Sequence, residues 1–265
     1  MANPKFNRPR SKKTKKASIR DQVKREVSRV IETKDKKYDS GIIDLANFAN
    51  TTNNGNNTIE LTPSSSTLAI QQGVLESQRV GNSIRTVSAE VRFRLSPKPY
   101  HATENSIPVP QVVMGVIWSI RSQGQALSAA QTITNNSILQ NNNASTGFTG
   151  DLRDYMRDYN NDEIMVHKKF FLKLGASLYS SNTGNQANMY NFANNDFPLC
   201  VIKRIDLTKY YPKVIKFNDG DNDGNCRSLY MTLSPCDADG GANVSTTNAI
   251  PVEFEYGLHL KYKDA

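Results

Sequence analysis

The chain is poor in the residues from which catalytic and metal centres are built. Its three cysteines, Cys200, Cys226 and Cys236, are an odd number with no CxxC spacing and no paired histidines nearby. That excludes a disulfide scaffold and a zinc site, and leaves reduced, partly buried thiols. The three histidines, His101, His167 and His259, are scattered and none belongs to an HExxH motif, so each reads as a surface or strand residue. There is no GxSxG elbow, no Walker loop and no GxGxxG fingerprint, and catalysis has no positive support. No apolar run approaches the ~18 residues of a membrane span, and there is no apolar signal-peptide core. The expectation is a soluble, untranslocated protein with no membrane partner. A mitochondrial presequence is disfavoured because the first stretch lacks apolar residues at helical spacing before Ile19. Hydrophobic residues make up only 37% of the chain, and Asn-rich connections account for much of the deficit. No internal repeat at a fixed period is present.

What the chain does have is positive charge, unevenly placed. Residues 1–38 carry fourteen Lys or Arg against four acids, a net +10, whereas the remainder carries nineteen against twenty-one, a net −2. A polyanionic partner is therefore addressed by the leader and not by the body. Within residues 1–17 there are seven basic side chains, no acid and almost nothing apolar. Such a segment cannot bury enough surface to offset its ordering entropy and is expected to be a disordered basic arm. A merely solubilising tail is the bland alternative. Residues 18–37 are expected to hold a short amphipathic helix and a linker. Ile19, Val23, Val27, Val30 and Ile31 form one stripe, Ser18 and Asp21 make a capping-box-like start, and Arg20, Lys24, Arg25 and Arg29 occupy the opposite face. A membrane-surface helix fits less well, because the stripe is entirely β-branched and has no aromatic anchor.

The cations Lys5, Arg8, Arg10, Lys12, Lys13, Lys15, Lys16, Arg20, Lys24, Arg25 and Arg29 are the candidate nucleic-acid contacts. Flexible Lys and Arg neutralise phosphates and release counterions, which gives salt-sensitive binding without base readout. Only Phe6 and Tyr38 lie among them, too few aromatics for stacking along a strand. The cluster from Arg8 to Lys16 also fits recognition by nuclear import receptors.

Residues 38–265 read as one β domain opened by a polar connection over 38–66. Val87, Ala89, Val91, Phe93 and Leu95 alternate with polar residues, the period of a half-buried strand. Residues 112–120 are almost continuously apolar and predict a strand covered on both faces. In 164–174 the residues Ile164, Val166, Phe170, Leu172 and Leu174 are expected on one face, with Lys168 the exception. Shorter candidates cover 199–207, 213–217 and 229–233. In the last segment Val252, Phe254, Tyr256, Leu258, Leu260 and Tyr262 alternate cleanly with polar residues or glycine. A short helix is expected over 151–158. Roughly eight strands without βαβ alternation predict a sandwich or jelly roll.

Asp219, Asp221 and Asp223 followed by Gly224 copy the first half of an EF-hand loop, whose carboxylates converge on a hard cation. The twelfth position, which should be a bidentate Glu, is Tyr230. With strands on both sides, a polar turn is the better reading, and a weakly bound calcium ion is the alternative. No other metal or cofactor is expected.

Several stretches carry a family resemblance. Gln71-Gln72-Gly73, then Ser77-Gln78-Arg79-Val80-Gly81-Asn82-Ser83-Ile84 entering the Val87 strand, resembles the opening of the first jelly-roll strand in capsid proteins of circular, Rep-encoding single-stranded DNA viruses. It is similar also to the coat protein of satellite tobacco necrosis virus. Val166-His167-Lys168-Lys169-Phe170 resembles the family's central strand. Phe217-Asn218-Asp219-Gly220 through Leu229-Tyr230-Met231 resembles its late hairpin, and Tyr262-Lys263-Asp264 its terminal strand. The Ile19–Ile31 helix and the loop helix near Tyr155 have counterparts in the satellite virus coat. The resemblance implies an all-β fold, a single eight-stranded jelly roll of viral coat type with a basic N-terminal arm. It implies a closed icosahedral shell of about sixty copies, T=1 in the simplest case, and an arm that packages a single-stranded genome. It implies a virion protein that visits the host nucleus during assembly. DNA is favoured over RNA as cargo, although the arm is shorter and richer in Lys than the family's Arg tract. The rival readings are a non-viral nucleic-acid-binding β-sandwich, and an enzyme or lectin on the same architecture.

Overall fold

The computed structural model describes residues 32–49, 57–64, 67–75, 77–101, 104–105, 108–122, 126–142, 144–177, 193–238 and 250–265. The chain divides into two units, Met1–Glu32 and Thr33–Ala265. The expected arm and most of the expected amphipathic helix lie outside the described residues, and every described strand and helix belongs to the second unit.

That unit is an antiparallel β-sandwich. The first sheet joins β1 (Lys34–Leu45), β13 (Val252–Asp264) and β3 (Ser83–Pro97) in that order. The free edge of β3 is shared by β9 (Val201–Asp206), paired to residues 90–95, and β10 (Val214–Phe217), paired to residues 83–85. The two-residue β11 (Gly224–Asn225) adds to β10. The second sheet runs β2 (Thr58–Glu60), β12 (Leu229–Asp237), β4 (Gln111–Ile120), β8 (Ile164–Leu174). A third, small sheet holds β5 (Leu139–Asn141) between β6 (Ala144–Thr146) and β7 (Asp158–Tyr159). The pairs of the main sheets nest: β1 with β13, β2 with β12, β3 with β9, β4 with β8. It is the pairing of one long hairpin wound up so that successive pairs fall alternately in the two sheets.

Alternation in β3 and β13 places Ala89, Val91, Phe93 and Leu95 beside Phe254, Tyr256, Leu258 and Leu260 on one buried face. That face meets Val113, Ile117, Leu172 and Leu233 from the second sheet. The Phe93 ring bridges the layers, 5.7 Å from Phe170 and 6.0 Å from Phe254. Each large side chain so buried stabilises the fold by about 1.5–3 kcal/mol. The second sheet is apolar on its other face too. There Met114, Val116, Trp118 and Tyr230 pack beneath α1 (Leu127–Asn136), Phe148 and Tyr159. This double burial accounts for the continuous apolar run of β4. The Trp118 indole donates to the Thr232 hydroxyl at 2.9 Å, so the buried ring nitrogen is satisfied.

The structure departs from the sequence expectations at identifiable points. Residues 38–45, expected as a polar connection, belong to β1, so the sheet begins ahead of residue 38. The inward positions there are Lys34, Lys36 and Tyr38, and a bulge at Ser40-Gly41, with Gly41 at φ +68°, then shifts the inward set to Ile43 and Leu45. A second bulge makes His167 an extra residue in β8: Trp118 pairs with Val166 and Ile117 with Lys168. Ile164 and Val166 therefore face α1, while Phe170, Leu172 and Leu174 face the inter-sheet core, and the five do not share one face. In β3 the extra residue is Val87, which is consequently exposed. Helix α1 has no counterpart among the expected elements, and the helix expected over 151–158 is one 3-10 turn, Leu152–Tyr155, whose Asp151 carboxylate accepts from the Arg153 amide. Thirteen strands occur among the described residues rather than eight, because elements of two to four residues carry no readable period. The Val87 strand is third in the chain and not first, β8 is an edge strand, and β10 and β12 lie in different sheets rather than forming a hairpin.

Candidate nucleic-acid interface

All eleven candidate phosphate contacts, Lys5 through Arg29, lie outside the described residues. The folded body carries charges of its own, one of them in the stretch that bears the family resemblance. Arg79 is completely buried. Its guanidinium donates to the carbonyls of Ile70 (3.3 Å), Gly81 (2.6 Å) and Asp221 (2.6 Å), and to the Asn82 side chain (3.2 Å). It also lies 4.4 Å over the Phe217 ring. A buried cation held by carbonyl dipoles and a π face fixes the loop ahead of β3 against the β10–β11 turn. That loop presents Val74, Leu75 and Val80 to solvent, Val74 at 93% exposure.

The Asp219 loop is part of the same anchorage. Asp219 accepts from the Asn82 amide, the Asp221 backbone carbonyl serves Arg79, and the Asp221 carboxylate accepts from the Asp223 amide at 3.2 Å. Gly220, at φ +74°, makes the turn. Among the described residues no three His, Cys, Asp or Glu side chains gather as a metal site. The cysteines are unpaired: Cys200 is exposed, and burial pushes the Cys226 and Cys236 thiols up to about 12.

On the outer face of the first sheet, the charges around Glu90 and Glu255 are matched within and across the strands. Glu90 of β3 takes Arg92 at 2.6 Å and Arg204 of β9 at 2.7 Å. His259 of β13 stands between Asp35 of β1 at 2.5 Å and Glu90 at 3.8 Å. Arg94 pairs with Glu255 at 3.3 Å. Burial lifts the Glu90 carboxyl, but its two arginines outweigh that and hold it below the usual carboxylate range.

A different arrangement lies where β8, β10 and the approach to β12 meet. A cavity of about 440 Å³ is lined by Ser119, His167, Tyr210, Pro212, Lys216 and Arg227 among others, and by no carboxylate. The bulge in β8 aims His167 into it. The His167 ring lies 5.1 Å from the Tyr210 ring at a 34° tilt, and its Nε2 is 3.0 Å from the Ser119 hydroxyl. Burial first, and the Arg227 charge second, hold the imidazole below its ordinary value, so it is neutral at pH 7. Lys216 and Arg227 are exposed, and among the described residues neither has a carboxylate partner. Lys209 lies 4.5 Å over the Tyr210 ring. The sequence pattern makes His167 an ordinary surface or strand residue; the signal that sets it apart is the break in alternation at Lys168.

No family model matches the chain, and no curated protein matches it. No helix among the described residues is long and apolar enough to cross a membrane.

Proposed function

We propose that this chain is the coat protein of a small icosahedral virus: a jelly-roll subunit that assembles with about sixty copies of itself and packages a single-stranded genome, DNA by family resemblance, through its basic leader. The jelly-roll reading rests on the nested pairs and on the sheet orders β1-β13-β3-β9 and β2-β12-β4-β8, which are those of a rolled hairpin. The observation that carries the function is that this sandwich, Thr33–Ala265, holds 22 Lys or Arg against 22 Asp or Glu, a net of zero, and is joined to a leader, residues 1–32, at net +8. A near-neutral body can pack against copies of itself without mutual repulsion, while a leader of that charge condenses phosphate. The Arg79 anchorage adds support, since it holds Val74, Leu75 and Val80 on a fixed mount at one end of the sandwich, where a neighbouring copy can cover them. The basic run from Arg8 to Lys16 supplies the signal for nuclear entry, and the virion is the final location.

Sedimentation and negative-stain microscopy of the purified full chain test the proposal. Closed shells holding nuclease-sensitive nucleic acid are expected. A monomer or small oligomer overturns it in favour of a non-viral nucleic-acid-binding sandwich. Deletion of residues 1–17 is expected to leave shells that form but are poorly filled, and wild-type filling contradicts the role given to the arm.

A further inference from the structure

We infer that the His167–Tyr210 cavity is a docking site for one unpaired nucleotide of a single-stranded nucleic acid, its base against the two rings and its phosphate on Lys216 and Arg227. The inference rests on the packaging role proposed above and adds to it a contact made by the folded body.

Three features of the cavity select this ligand. Its wall is aromatic and partly apolar: the two tilted rings of His167 and Tyr210, with Pro212 and Val214 also lining it. A nucleobase offers a π face to such a wall whatever its identity, which suits a genome-wide contact without sequence preference. At the rim, Lys216 and Arg227 have no carboxylate to neutralise them among the described residues, whereas Arg92, Arg94 and Arg204 on the first sheet's outer face are each paired. Unmatched cations beside an aromatic wall attract an anion that carries a planar group. The third feature is space: about 440 Å³ exceeds what a bare inorganic anion fills and sits within the range of small-ligand pockets. Neutral His167 completes the set, because it stacks without adding repulsion to Arg227 and, with Nε2 at the Ser119 hydroxyl, leaves Nδ1 without a hydrogen-bond partner among the described residues and able to meet a base edge.

Photocrosslinking of the full chain tests this, with a short oligothymidylate carrying one 5-bromouracil as probe and peptide mapping as readout. Crosslinks are expected on the peptide that holds Tyr210 or His167, in addition to any on residues 1–31. Lys216→Glu with Arg227→Glu, both exposed positions that spare the core, lowers the cavity crosslink roughly tenfold while the leader's crosslinks persist. Tyr210→Phe keeps the ring and retains the cavity crosslink; Tyr210→Ala loses it, with thermal melting confirming that the variant is folded. Crosslinks confined to residues 1–31 overturn the inference and leave the leader's role intact. A cavity crosslink indifferent to the Lys216 and Arg227 reversals overturns the assignment of the phosphate. An oligonucleotide that is not retained by the protein at all overturns the packaging function itself, so the two failures are distinguishable.

Discussion

Two surfaces of the same sandwich treat positive charge in opposite ways. On the outer face of the first sheet, Arg92, Arg94 and Arg204 each meet a carboxylate on the same or an adjacent strand, and His259 stands between two. Around the His167 cavity, Lys216 and Arg227 meet none among the described residues. Cross-strand ion pairs favour one register and cost little, since directly opposed unlike charges on a sheet attract. Unmatched cations contribute nothing of that kind to folding, and their field is directed outward. A body whose charges balance overall therefore conceals a local positive site.

Arg79 gives the sharpest contrast, as a cation whose partners are all supplied by the protein. Arg79→Met leaves the Ile70, Gly81 and Asp221 carbonyls without their donor and is expected to cost about 3 kcal/mol, the range for hydrogen bonds to a buried charged group. Urea unfolding measures it; a loss under about 1 kcal/mol contradicts the anchoring role. Glu90→Gln comes next, at about 1 kcal/mol at pH 7, because it leaves Arg92 and Arg204 unmatched on a partly exposed face. The pH dependence has a definite sign. Glu90 is held lower in the folded chain than in the unfolded one, so its contribution is complete above the unfolded value and drains away as pH falls through the folded value. Wild type and Glu90→Gln should thus differ at neutral pH and converge in acid. A difference that persists below both values points to packing and not charge.

Much of this architecture is legible in the sequence where one face of a strand is apolar throughout. β13 and most of β3 keep strict alternation, and β4 declares its double burial by having no polar face. β1 escapes because its inward positions begin with lysines. Lys34 is buried through an ion pair to Asp264 at 2.8 Å and a hydrogen bond to the Gln78 carbonyl at 2.7 Å, satisfaction that no periodicity encodes. Helix α1 starts at Ala126 without a side-chain cap, so its start carries no signal. The cavity is less legible still. Its key side chains come from β8, the turn after β9, β10 and the approach to β12, and only the pairing of sheets brings them together. The single local hint, the displaced alternation around His167, is a bulge, and a bulge looks like noise until the partner strand is known.

Below the matched face and the Arg79 anchorage stand two smaller effects on stability. Burial, with Asp223 adding to it, raises the Glu60 carboxyl against the hydrogen bonds of Ser228, Thr62 and Ser64 that lower it. The folded chain therefore holds that proton more tightly than the unfolded chain, and stability is lost as pH rises from the unfolded value to the folded one. Glu60→Gln is expected to stabilise at neutral pH by no more than about 1 kcal/mol and to have no effect in acid, as thermal melts at both values would show. Smallest of all is the double reversal at Lys216 and Arg227. Since neither cation has a carboxylate to lose among the described residues, and Arg227 gives up only an exposed hydrogen bond to the Arg121 carbonyl at 3.2 Å, unfolding free energy should move by less than about 0.5 kcal/mol, the range for exposed surface sites. A destabilisation comparable to that of Glu90→Gln would mean that these cations hold the sandwich together, and the distinction between the two surfaces would fail.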